Sequence, residues 1–275
     1  MLDLLKAFFS HLGYTELTSC FAGISKIAGY HITEEERTPF LHFHNHITNP
    51  QPKYITNWRK DPKNEHFYIK LVDGILHTTQ GTYGCLKYHQ ENITNIEMEM
   101  VKCVEQVDFK KILGNSSMMI GNTQKWDYEY QAYVLTYRRC LDQFANALST
   151  FFKNQANSFR TFDKYLKSRK IQQVALPLAE VHAKHIKNFE FVMSEGGARS
   201  VRDTIAHYQF VPAGVLNLTP MGIVFAGGGE NMFLSSAEPT LLSKILERKT
   251  AALHACLSEM IFCFVQEVEK WETGY

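Results

Sequence analysis

The most regular pattern of apolar positions lies between about residues 126 and 154. In the segment WDYEYQAYVLTYRRCLDQFANALSTFFKN, large apolar and aromatic residues recur at steps of three and four. The residues of this stripe are Tyr130, Tyr133, Tyr137, Leu141, Phe144, Leu148 and Phe151. Because an α-helix completes a turn every 3.6 residues or so, the spacing predicts one amphipathic helix about seven turns long.

A second long stripe occupies the last part of the sequence. Its members are Leu242, Leu246, Leu253, Leu257, Met260, Phe264, Val268 and Trp271. Ser235, followed by Glu238 and Pro239, resembles a helix start. The pattern therefore predicts a final long helix.

Another long helix and a short one are predicted between these two helices. The long one opens at Pro177, a residue suited to a first helical turn, carries Leu178, Val181, Ile186, Phe189 and Met193, and its pattern stops at Gly196–Gly197. A short helix follows over residues 200–210. After Pro212, the segment AGVLNLTPMGIVFAGGGE has β-prone runs around a Pro-Met-Gly turn, which predicts a small β-hairpin or ordered loop. Residues 126–275 are thus predicted to form a four-helix bundle.

The first 125 residues carry weaker helical signals. These signals cover residues 1–12, 15–29, 33–47, 65–77 and 93–113, separated by NPQPKYITNWRKDPKNE and HTTQGTYG. The polar segment GNSSMMIGNTQ, residues 114–124, is the best candidate boundary, and the sequence leaves open whether it separates two domains or joins two halves of one. We predict an all-α protein, with residues 1–125 as a helical N-terminal region of unknown role and residues 126–275 as the bundle.

Composition narrows the functional class. The chain of 275 residues is 45% hydrophobic with a net charge of +1, so a nucleic-acid-binding role must depend on a local patch. No run of about 18 apolar residues predicts a membrane span, and the first residues lack the features of a secretory signal. Six scattered cysteines, mostly in apolar helical patterns, predict reduced, buried thiols in a cytoplasmic protein.

The candidate chemistry lies in SVRDTIAHYQF, residues 200–210. On a helix, Ala198, Val201, Ile205 and Tyr208 form an apolar stripe that docks on the bundle. His207 projects on the opposite side, and Asp203 lies one turn before it. Arg202 lies between the two faces, and its long side chain can reach the histidine. A solvated polar face is the alternative.

Spacing alone does not select this arginine and histidine. Arg37 and His42 have the same separation, and the separations of Arg37 from His44 and of Arg59 from His66 are only two residues longer. Those pairs enclose a proline and do not lie in a short helix between two long amphipathic ones. The context of Arg202 and His207 favours them.

The segment RDTIAHY resembles the Arg-x4–6-His signature of HEPN-domain ribonucleases, in which a polar residue commonly follows the arginine. The predicted bundle, with the motif on a short helix before the last long one, is similar to that family over about 150 residues. The resemblance implies a metal-independent endoribonuclease with a composite site at a homodimer interface. It also implies a toxin–antitoxin or antiviral defence role, with an antitoxin or regulatory protein as a possible partner. Some members of the family have lost catalysis.

These residue types suit RNA cleavage without a metal or cofactor. A histidine can take or give the proton of the RNA 2′-OH, which then attacks the adjacent phosphate. The guanidinium of Arg202 can pair with two phosphate oxygens as negative charge develops. We expect Asp203 to orient the imidazole of His207, as carboxylates do in other histidine sites. A symmetric dimer would supply a second histidine, so that one acts as base and one as acid.

RNA contacts are predicted in a second stretch, SFRTFDKYLKSRK. It gathers the basic residues Arg160, Lys164, Lys167, Arg169 and Lys170 around the aromatic residues Phe159, Phe162 and Tyr165. Basic residues interleaved with aromatics can hold a backbone and stack bases, but the aromatics can equally face the core. Arg138 and Arg139 are weaker candidates for the same groove. Tyr208 is expected in the core, and it is also a candidate RNA contact.

Other classes of function stay open. The histidines of LHFHNH, His42, His44 and His46, would share a face on a strand, whereas on a helix only the first and last would. His182 and His185 lie three residues apart near Glu180, and GGGE at 227–230 lacks the lysine of a P-loop. A metalloprotein and a non-catalytic RNA- or protein-binding module are therefore the alternatives to a ribonuclease.

Overall fold

The computed structural model describes residues 11, 15–51, 53–105, 107–156, 158–168, 172–193, 199–220, 222–226 and 241–274. The chain divides into two compact units, residues 1–33 and 34–275. Helix α1, Thr15–Ala28, lies where the sequence predicts a helix over residues 15–29, and it belongs to the first unit. The helix predicted for residues 1–12 lies outside the described residues except for His11.

The second unit is helical with one small sheet, which confirms the predicted all-α fold. Its elements in chain order are α2 (Glu34–Thr48), α3 (Tyr54–Trp58), α4 (Glu65–Asp73), α5 (Gln80–Glu105), α6 (Phe109–Leu113), β1 (Met118–Met119), α7 (Gln124–Phe151), α8 (Phe159–Lys167), α9 (Gln172–His185), α10 (Val201–His207), β2 (Val215–Thr219), β3 (Gly222–Ala226) and α11 (Leu242–Thr273). A π-helical turn, Gly74–Thr79, joins α4 to α5, and a 3-10 turn, Ile186–Phe189, follows α9.

Helix α7 lies in the core of the second unit. All seven residues of its predicted stripe are buried, which confirms the helical pattern. Two tyrosine hydroxyls of this helix form hydrogen bonds inside the core. Tyr133 donates to the carbonyl of Leu246 at 3.2 Å, and Tyr137 donates to the carbonyl of Lys249 at 2.8 Å. Both acceptors belong to α11, so the two long helices are joined by polar as well as apolar contacts.

Helix α11 confirms the second predicted stripe. Its positions from Leu242 to Val268 in that stripe are buried, and Trp271 is half-buried. The helix is long and apolar enough to cross a membrane by length and composition, but 44% of its most apolar window is buried inside the protein. The proposed helix start at Ser235, Glu238 and Pro239 lies outside the described residues.

The predicted break at HTTQGTYG, residues 77–84, is wrong. Residues 65–105 are helical throughout, with the π-helical turn as the only departure from α geometry in that range. The hydroxyl of Thr79 donates to the carbonyl of Gly74 at 2.6 Å and supports the wider turn. An added Cβ at Gly74 would lie 2.6 Å from Cβ of Ala147, so the glycine lets this turn approach α7 closely. Tertiary packing therefore outweighs the low helix propensity of glycine and threonine here.

Helix α9 begins and ends earlier than predicted. It starts at Gln172, so Pro177 lies inside it rather than in its first turn. It ends at His185, where the 3-10 turn follows, although the predicted pattern continues to Met193. A proline there removes a hydrogen bond to the carbonyl of Gln173, but Gln173 is exposed, so water can solvate that carbonyl. The helix packs against α8 and α11.

The predicted hairpin is confirmed and has a third strand. Strands β2 and β3 pair antiparallel around a turn in which Gly222 has a φ of 107°, a value that favours glycine. Strand β1, in the segment 114–124, pairs with β2, with Met118 opposite Leu218. This segment therefore lies inside the second unit.

The cysteines are more exposed than their apolar surroundings predict. All six are free thiols, but only Cys140 and Cys256 are buried, and Cys263 is partly buried. Cys20, Cys85 and Cys103 are exposed, so the expectation of mostly buried thiols is wrong. Cys20 lies on α1, and Cys85 and Cys103 lie on α5.

Candidate functional site

The predicted short helix α10 carries the Arg-x4-His segment. Ser200 precedes it with extended backbone, and its Oγ accepts a hydrogen bond from the N–H of Asp203 at 3.1 Å. This is a standard N-cap, and it satisfies one of the free donors of the first turn. The N–H of Val201 donates to the carbonyl of Phe191 at 3.0 Å and ties the start of the helix to the preceding segment. Helix α10 packs against α7, so the core helix positions the motif.

Arg202 and Asp203 form an ion pair on the first turn of α10. Nη1 of Arg202 lies 2.8 Å from Oδ1 of Asp203, and about one third of each side chain is exposed. Burial acts to raise the pKa of Asp203, but hydrogen bonds from Arg202 and Ser200, together with the charges of Arg202 and Arg138, outweigh it, so the pKa lies below its ordinary value. The carboxylate is thus ionised at neutral pH and holds the guanidinium in place.

His207, the last residue of α10, is exposed. The structure records no hydrogen bond to its ring from any described residue, and its neighbouring ring is that of Tyr208, with the centroids 6.2 Å apart. The imidazole therefore points away from the core, as predicted. The expected contact between Asp203 and His207 is absent among the described residues; Oδ1 of Asp203 accepts a hydrogen bond from Arg202.

The apolar side of α10 differs from its prediction. Val201 and Ile205 are half-buried, no residue of the helix is fully buried, and Ala198 lies outside the described residues. Tyr208 is 59% exposed, so its expected core position is wrong. Its ring instead packs under the guanidinium of Arg199, whose carbon lies 3.9 Å from the ring centroid. The helix ends at Tyr208, which removes this residue from the stripe.

Exposed aromatic rings continue beyond α10. Phe210 is 52% exposed and meets Tyr128 of α7, itself 57% exposed, edge to face with centroids 6.2 Å apart. Sequence reasoning missed these two rings. The alternation of Tyr208 and Phe210 just before Pro212 is a local signal of extended chain, but the contact with Tyr128 depends on tertiary structure.

A basic cleft borders the start of α10. Its walls are Lys187, Asn188, Glu190, Phe191, Arg199, Ser200, Val201 and Lys249. Three of these residues are cations, Lys187, Arg199 and Lys249, and we call them the basic cleft. They come from three separate parts of the chain. Nζ of Lys249 lies 3.9 Å from the ring centroid of Phe191, which fixes one of these charges beside the helix. No pattern in the sequence brings the three together.

Arg138 is held by protein groups around the start of α8. Its Nε donates to Oδ2 of Asp142 at 2.7 Å, and its Nη1 donates to the carbonyl of Val192 at 3.1 Å. Oδ1 of Asp142 accepts from the N–H of Phe159 at 2.9 Å. The pair therefore links α7 to α8 and to the segment before α10. Arg139 is exposed.

The predicted basic and aromatic stretch divides between core and surface. Phe159 and Phe162 are fully buried, so they are not available to stack bases. The basic residues that are described, Arg160, Lys164 and Lys167, are exposed on α8. Nζ of Lys167 pairs with Asp163 at 3.3 Å. Arg169 and Lys170 lie outside the described residues.

The histidines considered as metal ligands have other partners. His42 and His46 share a face of α2; His42 stacks on Phe262 with centroids 4.4 Å apart, and Nδ1 of His46 lies 3.1 Å from Glu269. His44 is exposed. Among the described residues, no group of three or more histidine, cysteine, aspartate or glutamate side chains is arranged to hold a metal ion. The GGGE segment lies outside the described residues.

The pair on α9 is also engaged in packing. Nε2 of buried His182 lies 2.8 Å from the carbonyl of Phe159, and burial lowers the pKa of this histidine. Nε2 of His185 lies 3.0 Å from Glu259 of α11. Both rings join α9 to its neighbouring helices.

A comparison of the chain with protein-family models, curated proteins and solved structures gives no match.

Proposed function

We propose that the chain is a metal-independent endoribonuclease that acts through Arg202 and His207. One observation carries the proposal: a single short, capped helix holds an ionised Arg202–Asp203 pair at one end and an exposed imidazole at the other. These are the groups that RNA self-cleavage needs, namely a proton acceptor for the 2′-OH and a cation for the phosphate. The resemblance of RDTIAHY to the HEPN signature agrees with this assignment.

The roles of the three residues follow from their contacts. His207 takes the proton of the 2′-OH, because its imidazole is solvent-facing and both ring nitrogens can reach a substrate. Arg202 pairs with the phosphate oxygens, where negative charge grows in the transition state. Asp203 holds the guanidinium of Arg202 at 2.8 Å and so acts on the phosphate side of the reaction, not on the histidine.

The surroundings of α10 suit an RNA strand. The basic cleft offers cations for the phosphates beside the start of the helix, and Tyr208, Phe210 and Tyr128 offer exposed rings on which bases can stack. The chain's net charge of +1 gives no general attraction for RNA, so this local set of residues provides the binding surface. Helix α8 carries further exposed cations, Arg160, Lys164 and Lys167.

One copy of the motif supplies one histidine, and cleavage needs a base and an acid. We therefore propose a homodimer in which two copies of α10 face each other and each contributes His207 and Arg202. A role in toxin or antiviral defence, an antitoxin as regulator and a cytoplasmic location belong to the same proposal. Residues 1–125 have no assigned role in it.

A non-catalytic RNA-binding module is the second candidate. The observation in its favour is that, among the described residues, none hydrogen-bonds to His207 to set its tautomer. Catalytic histidines usually have such a partner, and here RNA or a second protomer must supply it.

The test is incubation of the purified protein with end-labelled RNA in excess chelator, beside a DNA strand of the same sequence. The ribonuclease cleaves the RNA and leaves the DNA intact, because only RNA has the 2′-OH nucleophile. A binding module shifts the RNA in a gel but leaves its length unchanged.

A further inference from the structure

A second cluster of reactive side chains lies between α5 and α7, beside Tyr128 of the proposed RNA-binding surface. Sγ of Cys85 is 3.6 Å from Nε2 of His89, and Nδ1 of the same ring is 2.6 Å from Oε2 of Glu129. Nδ2 of Asn92 donates to the other carboxylate oxygen of Glu129 at 3.1 Å. A thiol, an imidazole and a carboxylate are thus linked in that order.

The order of these contacts decides what the imidazole can do. In the neutral imidazole, a carboxylate beside Nδ1 places the hydrogen on that nitrogen, so Nε2 keeps its lone pair on the side of the thiol. Cys85 and His89 are four residues apart on α5 and therefore share a face of the helix. The hydrogen bond from Asn92 fixes the carboxylate of Glu129, so the thiol, imidazole and carboxylate are already aligned in the free protein.

The thiol is open to solvent while its partners are sheltered. Cys85 is exposed, whereas the side chains of His89 and Glu129 are only 19% and 26% exposed. Cys103, on the same helix, is also exposed, but the structure records no hydrogen bond to its sulfur from the described residues. Burial raises the pKa of the thiols of Cys140 and Cys256 far above their ordinary range, which makes them inert.

We propose that Cys85 is a reactive thiol site that exchanges with low-molecular-weight disulfides. His89 accepts the thiol proton as Sγ attacks one sulfur of the disulfide; a new S–S bond forms, the original S–S bond breaks, and the departing thiolate takes the proton from His89. The products are a mixed disulfide on Cys85 and one free small thiol. No outside oxidant is needed, because the disulfide itself is reduced.

The position of Cys85 inside a helix limits the class of reaction. Its backbone N–H is committed to the helical ladder and is not free to stabilise an oxyanion, which acyl transfer would require. Disulfide exchange forms no oxyanion. It needs only an accessible sulfur that can lose its proton to a neighbouring base. The proposal is therefore a modification site and not a second hydrolase.

The experiment mixes the folded full chain with 4,4′-dithiodipyridine, stops the reaction with acid at set times and measures labelling of each cysteine-containing peptide. Cys85 should react on the order of tenfold faster than Cys103, the exposed thiol of the same helix. His89→Gln and Glu129→Gln should bring Cys85 down towards the rate of Cys103. Unfolding in guanidinium chloride should make the two thiols equal.

His77→Gln is the matched control. Nδ1 of His77 pairs with Asp73 at 3.0 Å, which repeats the imidazole–carboxylate contact without a thiol in the relay. This variant should leave the rate at Cys85 unchanged. Equal rates at Cys85 and Cys103 in the folded wild-type protein would overturn the proposal, and so would an unchanged rate at Cys85 in His89→Gln.

Discussion

The carboxylate of Asp203 lies 2.8 Å from the guanidinium of Arg202, its neighbour in the first turn of α10. The helical pattern alone places Asp203 on the same face as His207, four residues away. In the structure, however, the carboxylate of Asp203 is paired with the guanidinium of Arg202. Asp203 therefore supports the phosphate-binding cation. This pairing changes which step of the reaction the residue is expected to affect.

Asp203→Asn should weaken cleavage without abolishing it. The amide keeps a hydrogen-bond acceptor for Arg202 but loses the charge, so the guanidinium is held less firmly. We expect a loss on the order of tenfold in the single-turnover cleavage rate, against a loss on the order of a hundredfold or more for Arg202→Ala, which removes the phosphate contact itself. A wild-type rate in Asp203→Asn would show that the pair has no part in catalysis.

The basic cleft should account for the salt dependence of RNA binding. Each phosphate contact with single-stranded RNA contributes about 0.7 to the slope of log affinity against log salt concentration. Lys187→Ala combined with Arg199→Ala should therefore reduce the slope by about 1.4. Filter-binding titrations over a range of salt concentrations measure it.

Arg160→Ala combined with Lys164→Ala is the matched variant, because it removes two exposed cations from α8. Its slope should equal that of the wild type. The opposite result, a change only in the α8 variant, would place the RNA on the stretch that the sequence predicts and away from α10.

Two glycines of the same continuous helical stretch should respond oppositely to alanine. At Gly74 the new Cβ would lie 2.6 Å from Cβ of Ala147, so Gly74→Ala should lower the free energy of unfolding by about 1–3 kcal/mol. At Gly81 no atom lies within 4 Å of the added Cβ, so Gly81→Ala should raise it by up to about 1 kcal/mol. Urea unfolding measures both.

Ala147→Gly provides the control for the clash. Combined with Gly74→Ala, it removes the opposing methyl group and should recover part of the lost stability. If the double variant is no more stable than the sum of the two single changes predicts, the contact between the π-helical turn and α7 is not the cause.

The buried Glu97 should make stability depend on pH. It accepts hydrogen bonds from Nε1 of Trp126 at 3.2 Å and from the N–H of Ser243 at 3.1 Å, and it is 1% exposed. Burial raises its pKa despite these bonds, so the folded protein holds this proton to higher pH than the unfolded chain does. Its contribution is complete below a pH of about 4.5 and falls as the pH rises towards the folded pKa.

Glu97→Gln should remove that slope, because an amide is neutral at every pH. The free energy of unfolding of this variant should fall less than that of the wild type as the pH rises above about 4.5. Glu99→Gln, an exposed change on the same helix, should keep the wild-type slope. A slope in Glu97→Gln equal to that of the wild type would contradict the assignment.

The parts of the fold that could be predicted are those in which one helix face meets the core. The stripes of α7 and α11 follow the helical period closely because every third or fourth residue is buried, and the hairpin follows from the Pro-Met-Gly turn. The continuous helix through residues 77–84 could not be predicted, since glycine and threonine have low helix propensity and the close approach of Gly74 to Ala147 joins residues far apart in the sequence.

Only those features of the α10 site that depend on local helix geometry could be predicted from the sequence. The short helix and the outward position of His207 follow from the pattern, but the Arg202–Asp203 pairing is a choice between two partners at similar reach. The basic cleft, the Phe210–Tyr128 contact and the Glu129 end of the Cys85 relay join residues from separate parts of the chain. A single sequence carries no spacing signal for such contacts.

The most direct test compares cleavage of labelled RNA in excess chelator by the wild type, His207→Ala and His44→Ala, with His44 as an exposed histidine outside α10. We predict that the wild type and His44→Ala cleave the RNA at equal rates. His207→Ala should remain folded and bind RNA but lose cleavage by at least about a hundredfold, the usual range for a general acid–base residue. Wild-type cleavage by purified His207→Ala would contradict the assignment of His207 as the catalytic residue.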